Sequence, residues 1–259
     1  MAAEDDQSLA FPEWPEIVRK IRARTPARVL VGRAGASYPT ATQLELREAH
    51  AAARDAVRDE LSLEHTFGAE FVERWKLFEV CTQAASKDEY LLRPDLGRHF
   101  SESSRAELRK RCPAAHQLQI VIGDGLSVTA VSTQVPPLLA ALCDGATAGG
   151  WTVGSVFVVR YCRVGILNEV GEVLSPEVAV LLIGERPGLA TAESLSAYMA
   201  YRPGPGHTDA NRNLISNIHA RGVIPTDAAL RILNFAAQMM KAGASGWQLR
   251  EEMSPSLSD

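Results

Sequence analysis

Three short, almost purely apolar segments dominate the second half of the chain: Leu118 to Ile122, Ser155 to Tyr161 and Val178 to Ile183. Runs of this length suit strands rather than helices, and their lack of polar alternation means that neither face meets water. Helical or glycine-rich stretches separate them. One holds Pro136, Pro137 and the run Leu138 to Cys143, and closes at Gly145, Gly149 and Gly150. Buried strands spaced by helices predict an α/β fold, a parallel sheet with helices on both faces. Leu195 to Tyr201 alternates and reads as an added edge strand. Thr226 reads as the cap of a last helix running through Leu230, Leu233, Ala237 and Met240 to Gly243.

The first half has a different texture. Pro15 to Arg24 fits a short helix, with Pro15 at its first position and a basic end. Thr42-Gln43-Leu44-Glu45 fits a capping box, followed by Leu46, Ala49, Ala53, Val57 and Leu61 at helical steps. Residues 62–117 are charge-rich; Tyr90 to Arg98 reads as turn-bearing and Ser104 to Arg111 as helical. The expected organisation is a flexible leader over 1–12, a mainly helical part over 13–110 that contacts a partner, an α/β domain over 111–250, and a flexible tail over 251–259.

Composition excludes several classes. Lys and Arg number 27 against 31 Asp and Glu, a net charge of −4, which argues against nucleic acid as a partner. No apolar run approaches the roughly 20 residues that cross a bilayer, and the acidic start, MAAEDDQSLAFPEWPE, lacks a secretory pattern, so the expectation is an intracellular, cytoplasmic chain without a membrane partner. Cys81, Cys112, Cys143 and Cys162 are widely spaced and expected reduced and mostly buried, and the six histidines are scattered. No metal site is expected.

Four loops at strand ends are candidates for ligand contact, because backbone N–H groups point outward there. In Gly123-Asp124-Gly125-Leu126-Ser127, Asp124 or Ser127 offers hydrogen bonds, although a plain turn with a helix cap at Ser127 is the favoured reading. In Gly184-Glu185-Arg186-Pro187-Gly188-Leu189, Glu185 is an acceptor for amides or hydroxyls and Arg186 suits an anion; a Glu185–Arg186 pair decorating a turn is the alternative. Arg163-Val164-Gly165 and Ser216-Asn217-Ile218-His219 complete the set, with His219 read as a structural hydrogen-bonder. No Ser/His/Asp or Cys/His order is recognisable, so no catalytic residue is assigned.

These loops carry a resemblance. Gly32-Arg33-Ala34-Gly35, Arg93-Pro94-Asp95-Leu96-Gly97-Arg98, Asp124-Gly125-Leu126-Ser127, Arg160-Tyr161-Cys162-Arg163-Val164, Gly184 to Leu189, Glu193-Ser194-Leu195-Ser196 and Ser216-Asn217-Ile218-His219, in this order, resemble the small (light) subunit of ethanolamine ammonia-lyase. The likeness runs from about Arg28 to Gly246. It implies a lyase that turns ethanolamine into acetaldehyde and ammonia by adenosylcobalamin radical chemistry, in ethanolamine catabolism. It implies a large (β/α)₈-barrel partner holding substrate and most catalytic groups, a hetero-oligomer with several copies of each chain, and often housing in a bacterial microcompartment. This chain would be a Rossmann-like α/β unit over 111–250 helping to clamp cobalamin between subunits. By motif, Val164 would pack on the macrocycle or its base and Glu185 would accept from an amide or hydroxyl. A family cysteine falls on Leu214, implying a van der Waals or backbone contact there. Asp124, Ser127 and Arg163 are expected neighbours. With no D-x-H-x-x-G motif, the cofactor would keep its own benzimidazole as lower ligand. The rival readings are a stand-alone α/β module binding a nucleotide or phosphometabolite, and a purely structural subunit.

Overall fold

The computed structural model describes residues 14–25 and 27–251. The expected leader, and all but the first residue of the expected tail, lie outside them. In chain order the described elements are α1 (Glu16–Ala23), α2 (Thr40–Arg58), α3 (Leu63–Phe67), α4 (Ala69–Trp75), β1 (Glu79–Cys81), α5 (Lys87–Leu92), α6 (Glu102–Arg111), β2 (Leu118–Gly123), α7 (Val128–Ala148), β3 (Phe157–Arg160), α8 (Ile166–Leu174), β4 (Val178–Gly184), β5 (Leu195–Tyr201), β6 (Asn213–Ile218) and α9 (Pro225–Ala242). The six strands form one sheet in the order β1-β3-β2-β4-β5-β6. The first four run parallel, while β4–β5 and β5–β6 are antiparallel. The fold is thus α/β with a mostly parallel sheet and a helical N-terminal part.

Strand period divides the core. Leu118, Ile120, Ile122, Val178, Val180 and Leu182 face α7 and α9. Val121, Ala179, Leu181 and Ile183 face α6 and α8. All residues of β2 and β4 are buried, including Gln119, whose amide donates to Ile120 O and Ser155 O. Pro136 and Pro137 lie inside α7. Each removes a helix donor, at a typical cost of ~3 kcal/mol, yet the helix persists because a long apolar face, from Val128 through Leu138 and Leu139 to Ala146, is buried.

Several local expectations change. Leu195–Tyr201 is a strand but not an edge: it lies between β4 and β6. β1 lies within the stretch read as helical and charge-rich, and it joins the same sheet. β6 takes up part of what reads as a loop. Tyr90 to Arg98 holds the end of α5 and a 3₁₀ turn, Leu96–Arg98, rather than turns alone. The capping box at Thr42 does not form; α2 starts earlier, at Thr40 after Pro39, and Thr42 is buried within it. Likewise α9 is entered through Pro225 at its first turn, with no side-chain cap from Thr226, and it ends at Gly243 in the left-handed region as expected. Pro15 precedes α1 instead of opening it. All four cysteines are free; Cys112 and Cys162 are buried, and Cys81 and Cys143 half-buried.

Candidate functional site: a cleft beside the carboxyl ends of the parallel strands

Helix α7, which follows β2, covers one sheet face, and α8, which follows β3, covers the other. Such a reversal usually leaves an open crevice between the two strand ends. Here Asp124 bridges it. The Asp124 carboxylate accepts from Tyr161 N–H at 2.9 Å and from Cys162 N–H at 2.8 Å. Lys87 Nζ lies 3.8 Å away, and both side chains are almost fully buried. Burial pushes the Asp124 carboxyl up and pulls the Lys87 ammonium down, each against the attraction of the other's charge.

The loop after β3 is held from several sides. Tyr161 adopts φ 57°, a left-handed conformation that costs a non-glycine residue about 1–2 kcal/mol. Thr82 Oγ1 donates to Tyr161 O at 3.0 Å, and Tyr90 Oη to Cys162 O at 2.8 Å. Arg163 N–H donates to Gly97 O at 2.8 Å. Only glycine fits at 97, since a Cβ there would lie 2.7 Å from Tyr161 O. Burial keeps the Tyr90 phenol protonated. Residues 163–165 therefore emerge from a rigid base.

The loop after β4 is equally determined. Leu126 N–H donates to Gly184 O at 3.0 Å. A Cβ on Gly125, whose φ is +56°, would lie 2.2 Å from that oxygen. Glu185 N–H donates to Ser194 O at 3.0 Å, and Ser196 Oγ donates to Glu185 Oε1. This leaves Glu185 Oε2 without a protein partner among the described residues. No ion pair joins Glu185 to Arg186 among them.

Two adjoining cavities open here. The smaller, about 350 Å³, is lined by Gly125, Leu126, Val164, Glu185 and Tyr198 among others. The larger, about 640 Å³, continues past Arg163, Val164 and Tyr198 to Arg98, Asn168, His207 and Arg212. Tyr198 belongs to both and pairs across the sheet with Leu214, which is 45% exposed. The cleft thus reaches Tyr198 of β5 beside α8. Buried in its wall, Arg163 Nε, Arg212 Nε and His207 Nδ1 lack hydrogen-bond partners among the described residues, and a buried polar group left in this way costs about 1–3 kcal/mol.

Of the residues singled out by sequence, Arg163, Val164 and Glu185 line the cleft, and Leu214 stands next to Tyr198. Asp124 and Ser127 do not offer their side chains outward. Ser127 accepts from Ala130 N–H as the cap of α7 and donates to Ala192 O, so the helix cap expected at Ser127 forms. His219 hydrogen-bonds Asn217 Oδ1 and accepts from Arg221 N–H, a structural role. Sequence reasoning missed Tyr198, Arg98 and Arg212. Arg98 stood in a recognisable block, but its proximity to Gly165 is visible only in the fold.

Comparison with known proteins decides the family. The ethanolamine ammonia-lyase light chain (EutC) family matches residues 15–250. The chain belongs to this family. It is 41% identical over 239 residues to the ethanolamine ammonia-lyase small subunit of Clostridium perfringens, covering 92% of this chain and 79% of that one. It is 42% identical over 252 residues to the small subunit of a Pseudomonas putida strain, covering 95% and 91%. Over 231 residues it is 41% identical to that of Fusobacterium nucleatum, covering 89% and 76%. As a member of the light-chain family, the protein is a subunit of a lyase. Among the described residues no helix is long and apolar enough to cross a membrane.

Proposed function

We propose that this chain is the cobalamin-clamping small subunit of an adenosylcobalamin-dependent ethanolamine ammonia-lyase, active with a large catalytic subunit. The observation that carries this reading is the cleft itself. It sets a carboxylate oxygen of Glu185, apolar Val164 and Tyr198, and unmet arginine donors along one wall. That mixture fits a bulky ligand decorated with amides and carrying a phosphodiester. It offers no nucleophile–base pair and no arrangement of three or more His, Cys, Asp or Glu for a metal among the described residues.

When bound, adenosylcobalamin supplies a carbon-centred radical from its cobalt–carbon bond. The chain's own residues hold and enclose. Glu185 accepts from a peripheral amide or hydroxyl, Val164 and Leu214 present apolar contact, and Arg163 donates. Asp124 and Ser127 act from beneath, fixing the loops that bear Val164 and Glu185. The exposed apolar residues of the N-terminal part, Trp14, Ile17, Ile21 and Leu44, form the surface that meets the large subunit and helps close the site to water.

Glu185→Ala tests the assignment. Cobalamin affinity of the assembled complex is expected to fall about tenfold, the worth of one hydrogen bond to a charged group. An unchanged dissociation constant, with both chains co-eluting, overturns the clamping role in favour of a purely structural subunit. Acetaldehyde release is expected from the mixture of chains and from neither alone.

A further inference from the structure

We propose that Arg98, Arg163 and Arg212 form an anion subsite in the larger cavity that receives the phosphodiester of the cobalamin nucleotide tail. This rests on the clamping reading above and adds an orientation to it.

The charge pattern is the first support. Three arginines and three acids line this cavity. The acids have partners of their own. Glu169 takes Phe100 N–H, His99 and Arg105, Glu172 lies 3.7 Å from Arg105, and Asp209 pairs with Arg212. Arg98 and Arg163 have no carboxylate partner among the described residues. Arg98 packs over Gly165, at the N-terminal end of α8, where the helix dipole adds positive potential.

Buried donors are the second support. The Arg212 side chain is 5% exposed. Its two outer nitrogens are fixed by Asp209 and by Asn168 Oδ1, the latter at 2.8 Å. Its Nε and that of Arg163 are buried without acceptors. Burial, with Arg98 adding repulsion, draws the Arg212 guanidinium below its usual range despite Asp209. The Arg163 guanidinium lies over the Tyr90 ring, 4.3 Å from its centroid, at the edge of the same cavity, and an anion held beside Arg98 and Arg212 answers the repulsion between those two. A phosphodiester suits the unpaired guanidinium fork of Arg98, because its two free oxygens match the parallel N–H bonds. Cobalamin's peripheral side chains are amides, so its phosphodiester is the one anionic group it brings. The ligand is thereby oriented: amides toward Glu185, nucleotide tail toward the arginines, with Val164 and Tyr198 between.

The test compares cyanocobalamin with dicyanocobinamide, which keeps the corrin ring and lacks the phosphodiester, ribose and base. Both are titrated by equilibrium dialysis against the complete two-subunit complex. Arg98→Gln removes an exposed guanidinium without an ion pair, so the fold is expected to hold, checked by co-elution and an unchanged melting midpoint. Cyanocobalamin affinity is expected to fall about tenfold or more, cobinamide affinity less than about twofold, and Arg98→Lys is expected to restore part of the loss. Arg212→Lys should show the same selectivity. An equal loss for both ligands overturns the proposal, since the arginines would then only shape the cleft. So does undiminished cyanocobalamin binding in both variants. If the wild-type complex binds neither corrinoid, the clamping reading falls and takes this proposal with it.

Discussion

The N-terminal arm and the sheet use apolar residues in opposite ways. Across α1 and α2 only Thr42 and Ala56 are buried, and Ile17 and Leu44 are 64% and 57% exposed. Every residue of β2 and β4 is buried. Both regions are patterned to hide an apolar face, but among the described residues only the sheet finds full cover. Burying a large aliphatic side chain contributes about 1.5–3 kcal/mol, and α1 leaves that gain unrealised. The sheet and its helices therefore hold the fold, and among the described residues the arm adds little to the core.

The contrast can be broken by measurement. Asp124→Ala strikes the stitched end of the sheet, leaving Lys87 buried without its counter-charge and two N–H donors unmet. Urea unfolding is expected to show a loss of about 3–5 kcal/mol; a loss below about 1 kcal/mol would show that the crevice holds without its bridge. A smaller effect is expected at Glu169. Burial raises its carboxyl, but Phe100 N–H, His99 and Arg105 outweigh this and hold it below the usual value of 4.5. A folded-state value below the unfolded one gives stability that is present above about pH 4.5 and lost as pH falls through the folded value. Glu169→Gln should flatten the acid limb of stability against pH and cost about 1–2 kcal/mol at pH 7; an unaltered acid limb would remove Glu169 from that role. The smallest effect belongs to the arm. Ile17→Ser and Leu44→Ser should change unfolding free energy by less than about 0.5 kcal/mol while weakening association with the large subunit in a sedimentation titration. Equal stability losses in arm and sheet would end the distinction.

Legibility followed the range of the forces involved. β2, β3 and β4 were visible because burial on both faces forces an unbroken apolar run. β1 escaped because Glu79-Val80-Cys81 is too short to show a period. β6 escaped because Ser216 and Asn217 fall together between Ile215 and Ile218 and break the alternation. Helix α2 starts where Pro39 allows, overriding the Thr42 pattern. Val164 and Glu185 were reached through resemblance and strand-end position. The inward role of Asp124 was hidden because its N–H partners lie 37 and 38 residues away. The arginine wall was hidden for the same reason, assembled from three distant segments of chain.

The bridge at Asp124 also bears on how such a chain diversifies. Asp124 ties the ends of β2 and β3 together, and the larger cavity opens beside Tyr198 of β5, walled by the connection that carries Pro205, Gly206, His207 and Thr208. Lengthening or shortening that connection alters the size and shape of what is admitted without disturbing the buried strands. Ligand width and fold integrity are in this way written into separate stretches of sequence, free to change at different rates.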